Sequence, residues 1–358
     1  MMRILWGAPA FAVAATIGMG GVATADPVAD FYTGKKIRMV LPVPPGGTVS
    51  LYGTTIAPYM EKYIPGNPNI IHEYRTGSGG VLAANYVFNV APKDGTVFTT
   101  LLSTAIIYKQ LRPKSARFIP ADFNFIGRMT DNPRVLVAWH SAGINSIEDA
   151  RKKNVPLASS SKLSVTAIHP LLMNRLAGTK FQIVNGYRGA GPSYLALERG
   201  EVAATTVSWD GLVGNRLDWL KDGKVKVLLR LGSRPLPGYE SVPELRDFGN
   251  TPEEKDVLKL MSLPADTGQV LAAPPGVPAD RLAALRTAFN KAMADPAFQA
   301  EARKRKMELR PLAAAEVQKL FDNARKMPES VLKRTLELIK FKKGEAKKRK
   351  KAEKKKEK

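Results

Sequence analysis

Val40-Leu41-Pro42-Val43-Pro44-Pro45-Gly46-Gly47-Thr48 and Tyr74-Arg75-Thr76-Gly77-Ser78-Gly79-Gly80 are two glycine-rich turns, each following a strand-like run and opening a helix. Lys36–Leu41 reads as the strand before the first turn. After it, Leu51, Ile56, Tyr59, Met60 and Tyr63 recur at helical spacing. Asn69–Tyr74 is a second short strand, with a helix over Val81–Val90 beyond its turn, and Thr96–Leu102 is a third strand. Strands alternating with helices indicate parallel β-α-β units. A helix N-terminus presents unpaired N–H groups and the positive end of the helix dipole. Two of them on one cleft make a seat for a small anion without any catalytic side chain.

The middle of the chain repeats this logic. Phe123–Met129 and Arg134–Trp139 are apolar strand-like runs, and Ser146 is placed to cap a following helix. Val155–Ser159 is a strand running into Ser159-Ser160-Ser161, and Val165–Leu176 is the next helix. Phe181–Tyr187 is a strand, after which Arg188-Gly189-Ala190-Gly191-Pro192 turns into a helix ending at Gly200. Val202–Val207 and Val225–Leu231 are further strands, with a helix around Asn215–Leu220 between them. Beyond Arg234-Pro235-Leu236-Pro237-Gly238 the pattern changes. Thr251-Pro252 opens a helix, Val270–Gly276 is a strand and turn, and Pro278–Met293, Pro296–Lys306, Ala313–Arg325 and Pro328–Ile339 are helical. No internal repeat is visible.

Met1-Met2-Arg3, the thinly apolar run Ile4–Gly21 and Ala23-Thr24-Ala25 have the three-part form of a secretory signal, leaving Asp26 as the first mature residue. No later segment is long and apolar enough to span a bilayer. The chain has no cysteine, which excludes disulfides, a thiolate nucleophile, an iron–sulfur cluster and a Cys-based zinc site. Net charge is +23. Twelve Lys or Arg against three Glu from Lys340 to Lys358 give the tail a net +9, and the remainder carries +14. Residues 342–358 are too charged to bury and read as a disordered tail. Without interleaved aromatics the tail does not support base stacking, so no nucleic-acid partner is expected. Its alternatives are a solvated end or weak contact with an anionic membrane or cell surface.

Five motifs in order carry a family resemblance: Lys36–Val40 with Pro42–Gly47, Arg75–Gly80, Ala91-Pro92-Lys93-Asp94-Gly95-Thr96, Tyr187–Pro192 and Ala272–Pro278. Over roughly Phe31–Leu338 the chain resembles tripartite tricarboxylate transporter receptors, the Bug-type periplasmic solute-binding proteins. The resemblance implies an α/β, two-domain, type II-like periplasmic-binding-protein clamp, each domain a β-sheet flanked by helices. Domain 1 would combine residues 26–127 with 237–341, and domain 2 would span 128–236. It implies a periplasmic receptor; the chain is expected to be a monomer and to need no cofactor. Such a receptor captures an organic acid between its domains and hands it to a membrane permease of one large and one small subunit.

The candidate ligand contacts follow from the strand ends. The first turn offers Gly46, Gly47, Thr48 and Ser50, where Ser50 departs from the Asp that many relatives carry. Gly77-Ser78-Gly79 is the second seat, and it is not a phosphate loop, since no Lys-Ser/Thr follows. Ser103 and Thr104 end the third strand, at the edge where α/β ligands sit, or form an ordinary polar loop. In the second half Ser160 and Gly189 occupy strand ends. Arg188 either pairs bidentately with a carboxylate or points to solvent. Trp209 either walls the ligand or is buried at a domain edge, and Asp210 adjoins it. His72, His140 and His169 are far apart and form no metal or nucleophile–base motif, so no enzyme activity is expected. The second reading is an envelope protein that binds polyanions through its basic tail, without a transport role.

Overall fold

The computed structural model describes residues 26–107, 114–162, 164–187 and 189–340. Residues 1–25, read above as a secretory signal, Arg188 and the basic tail lie outside them. Two mixed β-sheets, each covered by helices, organise the chain. The first has the order β11-β4-β10-β3-β1-β2. Its strands are β1 (Lys36–Leu41), β2 (Asn69–Tyr74), β3 (Val97–Leu101), β4 (Asn124–Thr130), β10 (Gln269–Ala273) and β11 (Leu312–Ala313). The second has the order β7-β6-β8-β5-β9. Its strands are β5 (Arg134–Trp139), β6 (Val155–Ser159), β7 (Phe181–Asn185), β8 (Ala204–Ser208) and β9 (Val225–Leu231).

The expectation of parallel β-α-β units holds only for part of each sheet. β1 pairs in parallel with β2 and β3, and β6 pairs in parallel with β7 and β8. β10 is antiparallel to both β3 and β4, and β5 is antiparallel to both β8 and β9. The reason lies in the connections: β4, β5, β9 and β10 adjoin segments that pass from one sheet to the other. Every residue of β3 and β10 is buried, as central strands covered on both faces require.

The local signals account for most helices. Ser146 caps Ile147–Lys152 and Asp149 completes the reciprocal capping box. Thr251 caps Pro252–Thr267, with Pro at the first turn. Asp295 caps Pro296–Lys304, and the Lys62 ammonium beside it holds its carboxyl down at about 2. A short helix, Pro27–Tyr32, that the sequence reading lacked is capped by Asp26 and inserts Tyr32 into the core.

One apolar cluster crosses both sheets. Val40, Val97 and Phe125 of the first sheet belong to it, as do Leu136, Leu157 and Leu228 of the second. Helices Pro252–Thr267, Ala314–Arg325 and Glu329–Ile339 join them: Val257, Leu260 and Met261 lie in the cluster with Val317 and Phe321. Phe321 stacks on Phe125 at 4.4 Å. No helix among the described residues is long and apolar enough to cross a membrane.

Asp131-Asn132-Pro133 links β4 to β5, and the segment after β9 runs back beside it. Asn132 N donates to Ala265 O at 2.8 Å, and Ser233 N to Asp266 Oδ1 at 2.6 Å. Arg128 donates to Asp266 O at 2.6 Å. Gly127 and Arg128, where the sequence reading divides the halves, are consecutive residues of β4.

Candidate functional site

Because β3, β1 and β2 are adjacent and parallel, their C-terminal ends share one edge. That edge carries Gly46, Gly47, Thr48 and Ser50 after β1, Gly77, Ser78 and Gly79 after β2, and Ser103 and Thr104 after β3. Gly46, Thr48 and Gly77–Gly79 are exposed, Ser103 and Thr104 are half-buried, and Ser50 is buried. The second turn is tightly wound to the left: φ is +128° at Gly77, +47° at Ser78, +64° at Gly79 and +87° at Gly80. Only glycine adopts such angles freely, which explains the run. Helices Thr48–Tyr63 and Val81–Asn89 start here without a side-chain cap.

The second sheet builds the matching edge. β7, β6 and β8 are parallel neighbours, and their ends carry Gly189, Ser160, Trp209 and Asp210. Gly189 is exposed at φ +96° and opens helix Ala190–Glu198, again without a side-chain cap. Ser160 belongs to a hydroxyl network. Its N donates to Thr166 Oγ1 at 3.1 Å, and Ser159 and Ser164 reach the same oxygen at 3.0 and 2.7 Å. Trp209 is 8% exposed and packs edge-on to Tyr239 at 5.1 Å, inside an aromatic cluster. Asp210 is ion-paired with Arg234 at 2.6 Å. Arg234 also meets Asp131 at 3.4 Å. Burial pushes the Asp210 carboxyl up and the Arg234 charge opposes it.

The two edges approach each other. Tyr52, one turn into helix Thr48–Tyr63, donates its hydroxyl to Glu308 O at 2.8 Å. Lys306, two residues earlier, donates to Gly214 O on helix Trp209–Lys221 at 3.1 Å. Burial pushes the Tyr52 phenol up, and the nearby Asp210 charge adds to that. The start of the first-sheet helix and the start of the second-sheet helix are therefore neighbours.

Tyr52, Asp131, Arg134 and Arg234 escaped the sequence reading. Asp131-Asn132-Pro133 was visible as a polar break between two apolar runs. Arg134 was visible as a charge opening the run Val135–Trp139.

Among the described residues, several buried side-chain polar atoms without a hydrogen-bond partner belong to residues along these edges or the crossing segments. They include Thr100 and Thr130 Oγ1, Asn185 Oδ1, Thr206 Oγ1 and the Nε atoms of Arg128, Arg134 and Arg234.

His169, on the helix under the second edge, is 2% exposed, and its Nε2 lies 3.0 Å from Met261 O. Burial holds its pKa down at about 4, with the Arg134 charge acting in the same direction. Above pH ~6.5 the imidazole is neutral whether the chain is folded or not, and its contribution to stability is full. Between pH ~6.5 and the folded value the unfolded state binds the extra proton, so stability falls by up to about 3 kcal/mol. Urea unfolding at pH 7 and pH 4.5 should show this loss, and His169→Gln should shrink the difference between the two pH values. An unchanged difference would remove His169 as its source.

The profile of the family described as "Tripartite tricarboxylate transporter family receptor" matches residues 59–336. Protein BugT of Bordetella pertussis is 26% identical over 243 residues, covering 65% of this chain and 71% of that protein. Among solved structures, a TctC solute-binding protein from Polaromonas, without ligand, aligns with a TM-score of 0.65 at 19% identity, covering 86% of this chain and 99% of that one. MatC from Rhodopseudomonas palustris with bound malate aligns with a TM-score of 0.58 at 23% identity, again covering 86% and 99%.

Proposed function

The chain belongs to the tripartite tricarboxylate transporter receptor family, a family of periplasmic solute-binding proteins, and from that premise we propose that it captures an organic acid between its two sheet edges. The observation that carries this reading is the pairing of uncapped helix starts. Thr48 and Val81 begin helices on one edge, Ala190 and Trp209 on the other, and no side chain caps any of the four. The Trp209 N–H is held by Pro133 O at 2.9 Å, so that start contributes the N–H groups behind it; each of the four presents the positive end of a dipole, typically worth 0.3–1 kcal/mol per anionic contact at an exposed site. An acid gripped by both edges has higher affinity for the closed arrangement and so favours closure. Thr48, Ser78, Ser103 and Thr104 add hydroxyls on the first edge, and Ser160 and Gly189 complete the second. The loaded receptor then delivers the acid to the large and small membrane subunits of its transporter, after export through residues 1–25. MatC, whose fold this chain shares, has bound malate, which makes dicarboxylates the first class to test.

A thermal-shift screen of the mature chain against succinate, malate, adipate, citrate and benzoate tests the proposal. At a hundred times Kd, ligand adds about 2.7 kcal/mol, enough to raise Tm by several degrees. A panel of this kind with no shift at 10 mM would sink the reading.

A further inference from the structure

The end of the second sheet opposite Ser160 and Gly189 gathers lysines. β6, β7, β8 and β9 all begin there, and β5, antiparallel to β8 and β9, ends there. Backbone hydrogen bonds tie these ends into one edge. Val155 N donates to Lys180 O at 3.1 Å, Ala203 N to Pro156 O at 2.8 Å and His140 N to Lys224 O at 2.9 Å. Lys152, Lys153, Lys180, Lys221 and Lys226 stand exposed along it. Among the described residues no carboxylate forms an ion pair with any of these lysines. The acids of the edge meet other cations: Glu148 pairs with Arg151 at 3.0 Å, Glu201 with Arg199 at 3.8 Å and Asp222 with Lys224 at 3.1 Å. Glu198 and Asp218, in the last turns of the helices before β8 and β9, are the exposed acids that oppose the surplus.

The C-terminus leaves the fold beside this edge. Helix Val165–Leu176 runs down to it, where Asn174 binds both backbone groups of Phe181, the first residue of β7. Its Nδ2 donates to Phe181 O and its Oδ1 accepts from Phe181 N, each at 2.8 Å. The next residue, Arg175, reaches the end of helix Glu329–Ile339. Its guanidinium donates to Glu337 O at 2.8 Å, to Lys340 O at 2.5 Å and also to Leu338 O. A cation on the last carbonyls satisfies acceptors that the helix itself cannot. Here it also fixes the point from which the chain continues past Lys340. Residues 341–358 carry eleven Lys or Arg and three Glu, a net +8. A chain of that length spans at most about 60 Å. The five-stranded edge is only about 20 Å wide at roughly 4.8 Å per strand. The segment therefore has the reach to act with every lysine of the edge.

Edge and segment put charge of one sign on one end of the molecule, and the partner that answers it is anionic and broad. An anionic bilayer fits. Beyond Lys340, Phe341 is the only aromatic and the only large apolar side chain. Neither stacking on successive bases nor burial of an apolar helix face in lipid is supported by such a sequence. What remains is attraction to headgroup phosphates, about fivefold in affinity for each Lys or Arg close to the surface. The family to which the chain belongs works in the periplasm, a compartment bounded by membranes.

We propose that the lysine-rich C-terminal segment and the lysine edge of the second sheet form one surface that holds this protein on anionic bilayers. The attachment lies at the end of the second sheet remote from Ser160 and Gly189, so the edge facing the glycine turns stays open to solvent. Held in this way, the protein is concentrated beside membrane-embedded partners without any new contact to them. The inference stands whether or not an acid is captured.

Co-sedimentation with vesicles tests it in three proteins. They are the mature chain, the same chain ending at Lys340, and the mature chain carrying Lys152→Gln, Lys153→Gln, Lys180→Gln and Lys226→Gln. The vesicles are phosphatidylcholine alone or with about one third phosphatidylglycerol. The mature chain should bind the anionic vesicles about 30-fold or more tighter than the neutral ones at low salt. It should lose at least about tenfold at 0.5 M NaCl, where the screening length falls to about 4 Å. Ending the chain at Lys340 should cost about 30-fold or more, and the edge substitutions about tenfold, with Tm unchanged in both. Equal binding to the two kinds of vesicle, or no loss on truncation, overturns the proposal. An edge variant that binds like the mature chain overturns the joint surface and confines attachment to the tail. A single-stranded oligonucleotide that strips the chain from the vesicles at equal phosphate concentration overturns the membrane in favour of nucleic acid.

Discussion

Gly268→Ala should cost on the order of 4 kcal/mol or more of folding stability, a large share of the 5–15 kcal/mol typical of a folded chain. Gly268 ends helix Pro252–Thr267 at φ +59° and ψ −132°, a combination that side-chain-bearing residues avoid. A Cβ there would sit 1.9 Å from Thr130 O and 2.5 Å from Asp131 Cα. Both are backbone atoms, Thr130 ending β4 and Asp131 opening the crossing segment, so no side-chain rotation relieves the contact. The next residue, Gln269, pairs with Thr130, and pushing them apart opens the β10–β4 ladder at the point where the chain changes sheets. Gly200→Ala separates clash from strain. Gly200 has φ +69° with open space around its Cβ position, so alanine there pays only the left-handed penalty of about 1–2 kcal/mol. Urea unfolding of both variants decides the point: a Gly268→Ala protein no less stable than Gly200→Ala would show that the crossing segment yields freely.

The two variants also mark what sequence could and could not reveal. Gly77–Gly80 was legible because its cause is local: a run of left-handed residues favours glycine wherever it occurs. Ser146, Thr251 and Arg134–Trp139 were legible for similar reasons, through capping chemistry and apolar runs. Gly268 carries no such mark, because its constraint comes from Thr130 and Asp131, far away along the chain. The antiparallel setting of β10 and β5 was equally hidden, since a short apolar run has no direction until its neighbours are known. The fate of Trp209 depended on Tyr239, and the fate of Asp210 on Arg234. Arg134 and Arg234 are chemically identical in the sequence. Only the fold decides that, among the described residues, one is ion-paired with two carboxylates and the other with none.

Gly79→Val should reduce acid binding by 100-fold or more while lowering stability by only about 2 kcal/mol. Gly79 lies at φ +64°, ψ +36° in the exposed turn between β2 and helix Val81–Asn89. A β-branched residue is strongly disfavoured in the left-handed region, by more than the 1–2 kcal/mol of an ordinary side chain. The turn escapes that strain by swinging Gly79 to negative φ, which is possible because its tip is exposed. That swing leaves the buried strands in place, so the stability loss stays small. It does redirect the N–H groups of Gly79 and its neighbours, which under the proposed function face the ligand carboxylate. A 100-fold loss corresponds to about 2.7 kcal/mol, the scale of one or two hydrogen bonds to a charged group at 1.5–3 kcal/mol each. Gly34→Val supplies the control. Gly34 has φ +73° and open space around it, and it precedes β1, at the end of the first sheet opposite the glycine turns. It pays the same conformational cost away from the proposed seat. Calorimetry with the acid that gives the largest thermal shift, beside Tm measurements without ligand, distinguishes the outcomes. Binding lost at Gly79 and kept at Gly34, with similar Tm changes, supports a backbone anion seat. Parallel losses in binding and Tm at both positions would reduce the Gly77–Gly80 turn to a strand-to-helix connection and move the seat elsewhere on the rim.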